Sequence, residues 1–316
     1  MAVSLTVIAP VIIMIAIGFI VMRRQWVPHN FDDVLSRYVM LIAAPALLFR
    51  NTVLVEFPEQ LPWALWPSYY GAMVICFIVG SIICRMTDPA YTSAGRHIVG
   101  FGSSFSNTVM LGIPIIMQAF GPSAAVPLFT ILAFHGLFSI ISLTFLLETA
   151  TMGTIEKSRV IRSVIVALMH QSVVVALLAG VLWGRTGIGL SDTVNRMLEI
   201  MGNSTFSVAL VMTGASLAKV RIERSVLVGL RVSMVKLILH PALVFAFTHF
   251  VFDLPMLWVA VATVLAAMPS GIFTSVFAQR YQIATDAASS IILVTTLASA
   301  VTLIFILDYF SDYFAK

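Results

Sequence analysis

Asn107, Gln118, His135, Ser270 and Thr274 are polar side chains set in stretches otherwise apolar enough to lie in hydrocarbon. A carboxamide donates to a carboxylate and accepts from a hydroxyl, a hydroxyl does either, and an imidazole carries a proton near neutrality. His135, His170 and His240 stand apart in the sequence, so no nucleophile–base arrangement or metal cluster is legible. Recognition of a small anion suits these groups better than bond cleavage. Beside them lie residues that interrupt helices: Gly112 and Pro114 in "SNTVMLGIPIIMQAFG", Pro269 and Gly271 in "AAMPSGIFTSVFAQRY". Proline removes an amide donor and clashes with the preceding turn, and glycine relaxes the backbone. Each interruption is expected to start a fresh helix just after Pro114 and just after Pro269. Free N–H groups and about half a positive charge at such ends attract an anion without placing a full cation in lipid.

These residues need membrane-spanning elements to hold them. Hydrophobic residues make up 60% of the 316 and charged residues 10%, and the mean hydropathy is +1.02. A soluble domain carries about 25% charged residues, so one aqueous core cannot hide this apolar surface. Runs long enough to cross about 30 Å of hydrocarbon recur near 5–22, 35–52, 64–84, 96–119, 125–147, 162–184, 197–218, 232–252, 256–279 and 284–307. They do not alternate as barrel strands do, and open sheet edges are excluded from lipid. The expected fold class is an all-α integral membrane protein with ten transmembrane helices, and one domain over 1–316.

The basic residues set the orientation. Arg50, Arg185, Arg196 and Lys316 fall in even loops or at the C-terminus, and Lys236 inside helix eight; every other Lys and Arg falls in or beside an odd loop. The positive-inside rule then puts the odd loops in the cytoplasm and both termini outside, in a multi-pass plasma (inner) membrane protein. Arg23 and Arg24 follow the first run rather than precede it, so a cleaved signal is not expected. The net charge of +4 is this bias and implies no nucleic acid. Cys76 and Cys84, about 12 Å apart along one helix, are too far apart for a disulfide and read as buried thiols.

The polar midpoint loop divides the chain into inverted repeats, 1–150 and 160–316. Five helices per half make the second half enter upside down. Pro114 and Pro269 stand about half a chain apart, which makes helices four and nine the broken, crossing pair that marks a carrier's binding site. Helix two carries Pro45, and helix seven has Ser207 at the comparable place. Pro10, Pro45 and Pro241 are expected only to kink their helices. Asn107 is expected to face the solute rather than glue helices, Ser270 either to touch it or to cap a half-helix, and Gln118 to face the solute or the solvent path. His135 is a candidate proton carrier or anion ligand, against the plainer reading of a neutral ring bonded to a carbonyl. Lys236 and His240 share one helical face, and Lys236 is expected to snorkel to the inner interface, as Arg50 does at the outer. Thr295, Thr296, Ser299 and Thr302 read as small-residue packing.

The two quoted motifs resemble the crossover motifs of the auxin efflux carrier family, which includes plant auxin carriers and bacterial malonate and malate carriers. "RYVMLIAAPALLF", "KLILHPAL" and "SSIILVTTLASAVTL" fit as well, so the resemblance spans the whole chain. It departs at Ser207, where members usually have proline, and at Thr274, where bacterial members often have an amide. The resemblance implies a scaffold of helices 1, 2, 6 and 7, often dimerising, and a mobile transport domain of helices 3–5 and 8–10. It also implies a substrate site built from Asn107, Gly112, Pro114, Gln118, His135, Pro269, Ser270, Gly271 and Thr274.

A secondary transporter of a small organic anion, malonate or malate before an indole-acetate-like acid, is therefore expected, working without cofactor or metal. Phosphate-cradling motifs are missing, so ATP is not the direct energy source. Asp286 and Asp308 sit near helix ends, which argues against a sodium site and leaves uniport, proton symport and exchange open. An intramembrane enzyme or ligand sensor is the alternative, but it would need a catalytic constellation or an output domain.

Overall fold

The computed structural model describes residues 2–55, 62–152, 172–219 and 225–314. The helices are α1 (Ala2–Arg23), α2 (Phe31–Tyr38), α3 (Ala44–Leu54), α4 (Leu65–Thr87), α5 (Ser93–Gly102), α6 (Ile113–Phe120), α7 (Ala125–Met152), α8 (Ser172–Arg185), α9 (Asp192–Lys219), α10 (Val226–Met234), α11 (His240–Phe245), α12 (Met256–Ala267), α13 (Phe273–Tyr281) and α14 (Thr285–Phe314). Of the run expected at 162–184 only α8 is described. His170 and the basic residues Lys157, Arg159, Arg162, Arg221, Arg224 and Lys316 lie outside the described residues.

Among the described residues, five helical runs are long and apolar enough to cross a bilayer: Leu65–Thr87, Pro122–Thr151, Asp192–Lys219, Val226–Val251 and Thr285–Phe310. Shorter apolar helices are Ala9–Arg23, Thr108–Phe120, Ser172–Arg185 and Met256–Ala267. Their outward faces keep large apolar side chains exposed, such as Ile13, Ile17 and Ile20 on α1 and Leu297, Val301 and Phe305 on α14. Such faces suit hydrocarbon and would be a liability in water. Cys76 and Cys84 are buried free thiols, as expected.

Three prolines act differently from breakers. π turns at Val39–Ala43, Thr108–Gly112 and Val235–Leu239 run directly into α3, α6 and α11. Each of those helices carries its proline, Pro45, Pro114 or Pro241, in the first turn. The ring cannot donate and pushes away the carbonyl one turn earlier, and a single widened turn absorbs the misfit while the helix continues. The expectation that Pro114 interrupts its helix is thereby corrected: the chain is helical on both sides of it, and the interruption lies earlier, between Gly102 and Thr108.

α1 packs along α9, and α3 packs on both α8 and α9. A Cβ built on Gly18 would stand 1.9 Å from the Val211 carbonyl oxygen, and one on Gly214 equally close to that of Ile15. Only glycine lets these backbones touch, the small-residue contact that stands in for hydrophobic burial between helices in lipid. On the other side α4 packs on α5, α10 on α14 and α11 on α12. The core sits there: α12 is buried from Val259 through Ala267, against Tyr69, Ile113, Leu128 and Ile131.

Candidate functional site

α5 stops at Gly102 because three serines follow. Ser103 Oγ lies 2.8 Å from the Cys76 carbonyl and 2.6 Å from that of Gly100, and Ser104 Oγ lies 3.1 Å from the same Gly100 oxygen. Both hydroxyls thus reach the Gly100 carbonyl that the interrupted helix leaves bare, and Ser103 also ties the break to α4. The chain then runs through Phe105, Ser106 and Asn107 before the π turn. Asn107 caps that turn, its Oδ1 accepting from the Met110 amide at 3.3 Å. α12 ends at Ala267, Met268 is extended, and α13 begins at Phe273.

The two interruptions meet. Asn107 N–H donates to the Pro269 carbonyl at 2.9 Å and Gly271 N–H donates to the Phe105 carbonyl at 3.0 Å, so that Ser106 and Ser270 form an antiparallel bridge. Each break thus supplies backbone partners that the other lacks, the requirement for irregular backbone at membrane depth. Gly271 is obligatory at this approach, since a Cβ there would lie 2.3 Å from the Phe105 ring. α14 closes the bridge from one side through Thr295 Oγ1, 3.1 Å from the Ser270 amide nitrogen. Ser270 Oγ and Thr274 Oγ1 are 3.1 Å apart.

Asn107 and Ser270 line a cavity of about 500 Å³, walled by Thr213 and Ser216 of α9, Ser275 and Gln279 of α13, and Ser289 and Thr296 of α14. It opens toward the end of the bundle where Lys219 Nζ pairs with Asp32 Oδ1 at 2.5 Å and Ser216 Oγ donates to Asp32 Oδ2 at 3.2 Å. Pro114 and Gln118 line a second cavity of about 690 Å³, together with Arg50, Asn51 and Asn203. Thr274 is fully buried beside Ser270, and Gly112 packs against Leu265. The residues expected to form one site are therefore divided between two cavities and the crossover that separates them.

His135 lies behind the crossover, lining neither cavity. Its Nε2 sits 3.2 Å from the Ser106 carbonyl, which can only accept, so the ring proton is on Nε2. The ring stacks on Phe105 at 4.8 Å. Lys236 is also here, which corrects the expectation that it snorkels: it is 0% exposed. Its Nζ lies 2.9 Å from Ser106 Oγ, 2.6 Å from the Ala266 carbonyl and 3.2 Å from His240 Nδ1. Protonated, the amine has three donors, and these three groups can each accept one. The carbonyl is one that the end of α12 leaves free, at the negative pole of that half-helix. The signal that Lys236 and Asp32 matter was available, since both are charges beside apolar runs; which way they point was not.

Residues 3–307 match the family described as membrane transport protein, the auxin efflux carrier family. The chain belongs to that family. Among curated proteins it is similar to one from Rhizobium meliloti (strain 1021) named "Putative malonate transporter", with 24% identity over 294 residues, covering 92% of this chain and 90% of the other. The membership makes it a multi-pass membrane transport protein.

Proposed function

We propose that this chain is a secondary carrier of a small organic anion, with short dicarboxylates of the malonate class as the first candidates, and that the anion binds against Asn107 and Ser270. The observation that carries this reading is the bridge between the two interruptions. It sets two helix starts side by side on the floor of a polar cavity, where Asn107 supplies an amide and the half-helices supply dipoles. The name of the Rhizobium relative supports the substrate class.

The motion we propose is an elevator. α1–α3, α8 and α9 form the scaffold of a ten-span inverted repeat, and α4–α7 with α10–α14 form the part that moves. Both cavities lie between these two groups, one on each side of the crossover, which supports alternating exposure of one site. The basic residues of the odd loops support a cytoplasmic 500 Å³ cavity, with both termini outside the plasma membrane. Assembly as a homodimer through the scaffold follows from the family resemblance.

Uptake of radiolabelled malonate into proteoliposomes, against liposomes without protein, tests the reading. Saturable flux competed by malate supports it. Equal flux in both, over a panel of mono- and dicarboxylates that includes indole acetate, overturns it.

A further inference from the structure

Lys236 is an amine fully buried at the crossover, and no carboxylate is among its partners to balance the charge it carries when protonated. From α4, Tyr69 and Cys76 face this region; from α7, His135; from its own span, His240. α12 and the two crossover segments bring no titratable side chain; Asp286 of α14 lines the same cavity as Asn107 and Ser270, with Asp32, Asp33 and Lys219, but accepts from Ser225 and makes no contact with the Lys236 amine. When Lys236 is protonated, His240 accepts from it through Nδ1 and carries its own proton on Nε2, which is buried without a hydrogen-bond partner among the described residues. His135 Nδ1 is likewise buried without one. Among the described residues no opposite charge touches the Lys236 amine, so an ammonium here would be held by dipoles alone, which is costly at this depth.

The missing counter-charge has an obvious source. Ser106, which touches Lys236 Nζ, bridges to Ser270 and directly precedes Asn107, and both of those residues line the cavity. An anion bound there stands against residues adjoining the one that touches the amine. We propose that Lys236 is the proton-coupling group of the carrier: its amine takes up one proton as the anion binds and gives it up after the anion leaves, so that anion and proton cross together. This rests on the carrier reading above. The amine lone pair takes the proton from water as the anion binds and returns it to water on the other side after the anion has left. Anion and proton favour each other's binding by the same factor, because the coupling is reciprocal.

Calorimetric titration of the purified wild-type protein with malonate, in buffers of different ionisation heat and at pH values where the dicarboxylate is fully ionised, counts the protons taken up per anion. The wild type is expected to take up close to one where the free amine is neutral, with affinity rising about 5- to 150-fold as the pH is lowered. Lys236→Arg keeps a permanent charge and is expected to bind malonate with no proton uptake and a flat pH profile. Lys236→Met is expected to bind weakly at every pH, and His240→Gln to retain the wild-type proton count. Binding by the wild type without proton uptake overturns the proposal alone, as does undiminished uptake by a folded Lys236→Arg protein. Absence of wild-type binding to any carboxylate overturns the carrier reading and this proposal with it.

Discussion

Asn107 gives its backbone amide hydrogen to the Pro269 carbonyl, 2.9 Å away, while its side chain caps the turn that follows. One residue thus closes the crossover with its main chain, starts a helix with its carbonyl oxygen, and keeps its amide NH₂ for the cavity. Asn107→Ala leaves the backbone bond in place and removes the other two. The lost cap costs about 1 kcal/mol of stability. The lost donor to a carboxylate costs about 1.5–3 kcal/mol of binding, a roughly ten- to hundredfold rise in KM for uptake. Asn107→Asp keeps the cap but presents a negative charge, and is expected to weaken anion uptake further while melting near the wild-type temperature. Wild-type uptake by either folded variant would remove Asn107 from the site.

Gly271 and Phe105 fix how closely the two interruptions approach. The Phe105 ring is held between Phe101 at 4.7 Å and His135 at 4.8 Å, so it has little room to yield to a Cβ placed 2.3 Å away. Gly271→Ala should therefore destabilise the protein by about 1–3 kcal/mol, in the range for overpacking, and should abolish uptake. Phe105→Leu in the same chain relieves the contact and is expected to recover part of both. Thermal unfolding in detergent, with uptake measured in parallel, checks the pair; a double variant no better than Gly271→Ala alone would show that the strain lies elsewhere.

The pair of interruptions was legible in the sequence, because prolines and glycines half a chain apart within apolar runs have few other uses. Their positions were legible only on the α13 side. At Pro269 the chain does break; at Pro114 a π turn takes up the misfit, and the serines at 103, 104 and 106, which resemble ordinary small-residue packing, mark the true interruption. Lys236 was misread because a lysine near a span's end usually reaches water. Its burial depends on acceptors from two distant segments, Ser106 and Ala266, besides His240 one turn along its own span, and no local pattern announces that convergence. The same holds for Asp32 and Lys219, which lie in different halves of the chain. The division of Asn107 and Gln118 between two cavities depends on which helix faces the scaffold, a property of packing rather than of spacing.

His135 supports the crossover from behind, through the Ser106 carbonyl and the Phe105 ring. His135→Gln keeps a donor for that carbonyl but loses the stacked ring, so the expected change is a lowered melting temperature with uptake reduced in proportion to folded protein. The pH profile of uptake should keep its wild-type shape, since the proposed proton-coupling group, Lys236, is intact. A flattened profile in a folded His135→Gln protein would move the proton to the imidazole.

Asp32 and Lys219 stand at the mouth of the cavity and neutralise one another, with 9% and 24% of their side chains exposed. Breaking the pair from opposite sides should have opposite effects on an anion entering there. Asp32→Asn removes a negative charge and leaves the lysine free to attract the solute, so KM from that side is expected to fall a few-fold. Lys219→Ala leaves the Asp32 carboxylate without its partner beside the entrance, and KM is expected to rise, with some loss of stability because the charge is largely buried. Both shifts act over several ångströms through a polar cavity and should shrink as salt shortens the screening length. Uptake kinetics at low and high ionic strength, in vesicles of defined orientation, measure this directly. Shifts of the same sign in both variants would mean that the pair holds α2 against α9 and does not tune entry.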